Sequence, residues 1–177
     1  MARSADPLTE LFPLLSALEE QGLQPVLVGG MALVVLGSQR ITKDFDLLVS
    51  SSELSTDLVE RIYREGYELV TRLNKAGEVK RTADNPKVAA ARLKMEKPRS
   101  VFFYDWETGL RVDLLLEFPL PGRDIAERAA KMGKKPRTLR VAAPEDLLRL
   151  KEIAYADRKS ASDAQDLEFL RNLLKGH

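Results

Sequence analysis

The chain has 177 residues, 44% of them hydrophobic and 31% charged, with a formal net charge of +1. That is enough for one globular domain with a real core, or for a core with a helical appendage. There is no cysteine and one histidine, His177, which excludes disulfides, zinc–thiolate sites and thiol nucleophiles and disfavours histidine-based acid–base chemistry.

The first helix is expected from about Asp6 to Gln21. Asp6 serves as N-cap, Pro7 takes the first helical position and Gly22 stops the helix. Leu8, Leu11, Phe12, Leu15 and Leu18 recur at helical spacing along it. "PVLV" reads as a short buried strand, Gly29 and Gly30 as a turn, and "MALVVL" as a short helix closed by Gly37. "DFDLLVS" is a second strand, and a helix from about Glu53 to Glu65 ends at Gly66. "YELVTR" is a third strand. Residues 73–99 are polar and basic, with a helix over "NPKVAAARLKM" capped by Asn85. "SVFFYD" and "LRVDLLLE" flank a "WETG" turn and predict a β-hairpin. A helix from about Arg123 to Met132, a basic loop and the strand "TLRVA" follow. Two helices close the chain. The first starts at Pro144, with acids in its first turn, and the second runs from Ser160 or Ser162 to about Leu174. A β-α-β unit beside a hairpin implies a mixed sheet and an α+β fold. The expected organisation is a core over residues 1–142 and a helical part over 143–177 packed on it.

No apolar run approaches the ~20 residues of a membrane span, and "MARSADPLTELF" lacks the apolar centre of a signal peptide. A cytoplasmic location is therefore expected. Charge is unevenly spread. Residues 72–99 hold nine Lys/Arg against three Asp/Glu, and residues 122–140 hold seven against two. Such blocks are either phosphate- or RNA-binding surfaces or simply solvated faces.

Two aspartates interrupt an apolar strand. Asp44 and Asp46 stand two apart, so strand alternation puts both on one face while Phe45 and Leu47 point the other way. Two carboxylates this close repel unless a cation lies between them. Asp113 interrupts a second apolar strand and is the natural third acid. Three carboxylates on one patch form a hard oxygen site suited to magnesium. The competing reading is that each aspartate caps a strand end. Gly29-Gly30, between a strand and a helix, suits a phosphate through exposed backbone N–H groups, or makes a plain tight turn. It is neither a Walker loop nor a dinucleotide fingerprint, because the following lysine and the third glycine are missing.

Together, G-G, a short helix, G-x-x-R-x-T-x-D-x-D and a later strand aspartate resemble the nucleotidyltransferase superfamily typified by DNA polymerase beta. The resemblance implies a polymerase beta-like core. It also implies that Gly29 and Gly30 cradle the phosphates of a nucleoside triphosphate while Asp44, Asp46 and Asp113 hold two magnesium ions. Arg40 and Thr42 match the R-x-T of one branch, and that branch looks like the abortive-infection (AbiEii-type) toxins. The C-terminal "EDLLRLKEIAYADRKSASDAQDLEFL" is similar to that branch's helical pattern of a lysine, an arginine and two acids. By this match Lys151 contacts the phosphates, and Asp163 or Asp166 helps assemble the site. The usual R-x-K-x-R-D run is blurred here to "RKSASD", so either acid fits.

The implied reaction is magnesium-dependent transfer of a nucleoside monophosphate to an acceptor hydroxyl. RNA such as tRNA, bound through residues 72–99 and 122–140, is the first acceptor, and the toxin resemblance also implies a cognate antitoxin. A small-molecule acceptor, as in antibiotic nucleotidyltransferases, is the alternative; those commonly carry histidine where Thr42 stands. A third reading is a non-catalytic, antitoxin-like module. Such proteins usually show G-S followed by arginine, whereas this chain has G-G-M-A-L.

Overall fold

A computed structural model describes residues 7–116, 119–134 and 137–176. The elements in chain order are α1 (Pro7–Glu20), β1 (Val26–Val28), α2 (Gly29–Val35), β2 (Asp44–Val49), α3 (Thr56–Arg64), β3 (Glu68–Leu73), β4 (Val79–Ala83) and α4 (Pro86–Glu96). They continue with β5 (Ser100–Tyr104), β6 (Arg111–Leu116), α5 (Gly122–Arg128), β7 (Ala130–Lys134), β8 (Arg137–Val141), α6 (Pro144–Arg158) and α7 (Ala161–Lys175). The strands form one mixed sheet in the order β4-β3-β5-β6-β2-β1-β8-β7. The β1/β8 and β2/β6 pairs are parallel and the other pairs antiparallel. This is the expected α+β class. No helix among the described residues is long and apolar enough to cross a membrane.

The apolar pattern builds the core directly. Leu11, Leu14, Leu15 and Leu18 bury one face of α1. On β6, Val112, Leu114 and Leu116 are buried while Arg111, Asp113 and Leu115 alternate with them on the other face. On β2, Phe45 and Leu47 are fully buried, and Leu48 and Val49 show that both faces are covered beyond that point. The face that carries Asp44 and Asp46 is thus open at the start of the strand and closed at its end.

Several local expectations hold through identifiable caps. Asn85 Oδ1 accepts from the amides of Lys87 and Val88 at 2.9 and 3.3 Å, and so starts α4. Ser160 Oγ accepts from the Asp163 amide at 3.1 Å and starts α7. The hairpin of β5 and β6 forms, closed by Asp105 N to Leu110 O at 3.0 Å. The Asp6 cap lies outside the described residues.

Other boundaries move. The helix after β2 begins three residues later than expected, at Thr56, because Ser55 caps it through the Leu58 amide. β4 was not expected: "VKRTA" pairs antiparallel with β3, yet none of its residues is buried and Lys80 and Arg81 are exposed, so it lacks the apolar alternation that marks a strand. The helix expected over 123–132 stops at Arg128, and residues 130–134 form the wholly exposed edge strand β7. Gly29 and Gly30 do not make a turn ahead of a helix. They form its first turn.

Candidate active site

The site is assembled by register. Val28 at the end of β1 lies opposite Asp46 on β2, Asp46 opposite Asp113 on β6, and Asp113 opposite Phe102 on β5. The next row outward sets Asp44 opposite Arg111 and Arg111 opposite Tyr104. Directly opposed residues share a face with Cβ atoms about 5 Å apart. Asp113 is therefore the immediate neighbour of Asp46, and Asp44 flanks them at the open end.

The chain makes room for Asp46 by omitting a side chain. Gly29 has φ +68°, in the left-handed region, and a Cβ there would overlap Asp46 Oδ2. At Gly30 a Cβ would come within 2.9 Å of the Arg40 guanidinium carbon. Each glycine thus admits one side chain of the site against the start of α2.

The C-terminal helices supply the cations. Lys151 Nζ on α6 lies 3.0 Å from Asp163 Oδ1 and 2.8 Å from Asp166 Oδ2, both on α7. Arg40 Nη1 also donates to Asp166 Oδ2, and Arg158 Nη2 donates to Asp163 Oδ1 at 3.2 Å. Asp163 and Asp166 are 2% and 3% exposed, so the paired cations are what make burying them tolerable. The structure gathers both candidate acids around Lys151 rather than choosing between them. Thr42 accepts from the Asp44 amide at 3.4 Å and so sits at the entry to β2.

Electrostatics separate the acids. Burial raises the Asp46 pKa and the charge of Asp44 adds to it, while Lys151 and Arg40 pull it back. Burial, then the charge of Asp46, pushes Asp113 up to about 7. For Asp163, burial acts upward, but the hydrogen bonds from Lys151 and Ser160 and the nearby cations outweigh it, so its pKa falls below the ordinary value.

Arg111 was missed by the sequence reading. Its Nε lies 3.8 Å from Asp44 Oδ1, its Nη1 donates to the Gly77 carbonyl at 2.7 Å, and its guanidinium stacks 5.3 Å from the Phe102 ring centroid. The signal was the R-x-D alternation of "LRVDLLLE", which places Arg111 on the face of Asp113. Its pairing with Asp44 depends on cross-strand register.

Asp113 Oδ1 is buried without a hydrogen-bond partner, and it sits beside a second raised carboxylate. Such a group invites a cation. Among the described residues no three potential ligands converge closely enough to hold a metal by themselves. Magnesium does not require that, because it is usually held by one or two carboxylates, waters and substrate phosphates. The donor set therefore fits magnesium bound together with a nucleotide.

The acids lie between two clefts. A polar one of about 420 Å³ is lined by Arg40, Asp44 and Arg111 and by Asp46, Asp113 and Lys151. The other, of about 360 Å³, shares Asp46, Asp113 and Lys151 but is walled by Leu33, Leu115, Leu150 and Ile153. A larger, open depression of about 740 Å³ between α3 and the β5–β6 turn contains none of the predicted site residues.

The family model for the nucleotidyl transferase AbiEii toxin of type IV toxin–antitoxin systems matches residues 14–176. No curated protein sequence matches. Among solved structures, an antigenic nucleotidyltransferase-like protein from Paracoccidioides brasiliensis aligns with TM-score 0.54 and 15% identity over 96% of this chain and 78% of that one. The lincosamide antibiotic adenylyltransferase LnuA, bound to lincomycin, aligns with TM-score 0.53 and 14% identity over 92% of this chain and 95% of that one. At such identities these two likenesses speak for the fold.

Proposed function

From the premise that this chain belongs to the AbiEii nucleotidyltransferase family, we propose that it transfers a nucleoside monophosphate from a nucleoside triphosphate to a hydroxyl of an RNA acceptor, with magnesium. The observation that carries this reading is the lateral row of Asp46 and Asp113 beside the glycine-floored start of α2, with Asp44 at its open end.

Asp44, Asp46 and Asp113 would hold magnesium. Bound there, it would acidify the attacking hydroxyl and stabilise charge on the leaving group. Lys151 and Arg40 face the same cleft and would bind the phosphates. Asp163 and Asp166 act beneath them, fixing the position of both cations. Gly29 and Gly30 let Asp46 and Arg40 approach α2 closely. Asp46 and Asp113 would bracket the acceptor hydroxyl, whose proton would pass to one of these carboxylates. The acceptor oxygen bonds to the α-phosphorus, the bond to the bridging oxygen breaks, and pyrophosphate leaves.

Surface charge supports RNA as the acceptor. All nine Lys/Arg of residues 72–99 are exposed. That segment meets the site twice, through Gly77 against Arg111 and through Arg99 at the apolar cleft. The family is that of a type IV toxin, which implies an antitoxin partner for this chain.

The test is incubation with each labelled nucleoside triphosphate, magnesium and total RNA. A labelled RNA band is the expected result, and its nucleotide dependence names the base. Asp46→Ala should abolish labelling while the circular dichroism spectrum and Tm remain native-like. Unchanged turnover in that variant would overturn the site assignment.

A further inference from the structure

Two clefts meet at one pair of carboxylates, and they differ in chemistry. Asp46, Asp113, Lys151 and Arg158 line both. Asp44, Arg40 and Arg111 line only the polar one. Leu33, Leu115, Leu150 and Ile153 line only the apolar one. A triphosphate needs cations and a hard-cation site along its length; the polar cleft joins all three strand aspartates to Arg40 and Arg111 besides the shared cations, whereas the other cleft lacks Asp44 and adds only Arg99 and Asp157 to a largely apolar wall. An apolar wall offers a phosphate chain nothing, but it suits the body of an organic acceptor whose one polar group must reach the acids.

We infer that the apolar cleft is the acceptor subsite, receiving one hydroxyl-bearing unit through apolar contact with Leu115, Leu150 and Ile153, while the nucleotide occupies the polar cleft. The inference rests on the transferase reading above and adds to it a location and a size limit. At about 360 Å³ the cleft stands at the low end of small-ligand sites, roughly 300–1,000 Å³. It holds a single compact unit with a flat apolar face, so an acceptor polymer must present an end or a splayed residue. In-line transfer needs the two substrates on opposite sides of the reacting phosphorus, and carboxylates shared between two clefts provide that arrangement. Ile153 is 37% exposed on α6, so it can be changed without opening the core, and Leu150 and Leu115 continue the wall inward.

The test separates the two clefts by where a substitution is felt. Ile153→Glu puts a charge in the apolar cleft, and Ile153→Trp narrows it. Binding of α,β-methylene nucleoside triphosphates with magnesium is measured by calorimetry, and label transfer is measured against the concentration of total RNA. Both Ile153 variants should raise the KM for RNA about tenfold or more and leave nucleotide Kd within about twofold. Arg111→Ala should do the reverse, weakening the nucleotide about tenfold. Loss of nucleotide affinity in the Ile153 variants, or no effect of them on either substrate, would overturn the assignment. Failure of the wild type to bind any nucleotide would instead sink the functional reading itself. If the wild type binds nucleotide but labels no RNA, the RNA reading falls and the binding arm decides alone. Weakening confined to Arg111→Ala then supports the division of the clefts, and weakening by the Ile153 variants refutes it.

Discussion

At the scale of single residues, the two strand aspartates behave differently because of where they lie along the strand. Asp44 is at the open end and half of its side chain is exposed, whereas Asp113 keeps a buried, unpartnered oxygen. That has a measurable consequence for pH. The folded protein holds the Asp113 proton up to about pH 7, whereas the unfolded chain releases it near 3.8. Between those values the unfolded state binds fewer protons, so stability falls as pH rises through the window and levels off above it. In the absence of divalent cations, Tm should therefore decline from about pH 4 to 7, and Asp113→Asn should flatten that decline. The substitution should also raise Tm at pH 8, by roughly 2–4 °C for each kcal/mol of repulsion relieved in a domain of this size. A thermal melt series across pH checks it, and an unchanged slope in the variant would refute the assignment of the proton.

The acids and glycines were legible in the sequence because their signals are local. A D-x-D on an apolar strand and a G-G between strand and helix need only their neighbours to be noticed. What each glycine accommodates was not legible. That Gly29 makes way for Asp46 and Gly30 for Arg40 is a fact of tertiary approach. Arg111 was hidden for the same reason, since its partners Asp44, Gly77 and Phe102 come from three other places in the chain.

At the scale of elements, α7 acts on the site mainly by pairing with its cations, and its Ser162 and Asp163 also line the polar cleft. Lys159 adopts the left-handed conformation after α6, with φ 50°, and Ser160 starts α7 at once. This tight joint turns Asp163 and Asp166 back towards Lys151. Asp166 then ties α6 to Arg40, in the loop before β2. Asp166→Ala should leave Arg40 unpaired and Lys151 with only Asp163. Breaking a buried pair costs about 3–5 kcal/mol. A loss near the lower end is expected here, because Asp163 remains. Tm should fall accordingly, and hydrogen exchange should quicken over residues 38–43, next to Arg40. Native-like Tm and exchange would show that the contact is idle. The sequence left the choice between Asp163 and Asp166 open because each is an ordinary helix acid until the two helices pack. The strands β4 and β7 escaped notice for a related reason. Their side chains are mostly solvated cations and small groups, and only pairing with β3 and β8 makes them strands.

At the scale of the whole molecule, a net charge of +1 conceals a marked division. The cations of residues 72–99 lie on the end of β3, on β4, on α4 and on the turns beside them, and among the described residues those of 122–140 lie mainly on the β7–β8 edge. If the first group holds RNA through phosphates, affinity should fall linearly with log salt, with a slope of about −0.7 per phosphate contact on single strands. Replacing Lys75, Lys80 and Arg81 by alanine should shallow that slope by about 2 and leave nucleotide binding alone. Filter binding across potassium chloride concentrations measures both. Binding indifferent to salt would place the RNA contacts elsewhere.

The ionic knot of Arg40, Lys151, Arg158, Asp163 and Asp166 also bears on how the protein is made. Its cations lie on segments that a ribosome completes before its anions. A chain interrupted between Lys151 and Asp163 carries the aspartates of β2 and β6 and the lysine of α6, but neither acid that pairs with that lysine. Under the proposed function, activity would therefore require α7 to have folded back onto α6. A copy stalled between Lys151 and Asp163 would then be inert in that reading, and synthesis itself would act as a safeguard.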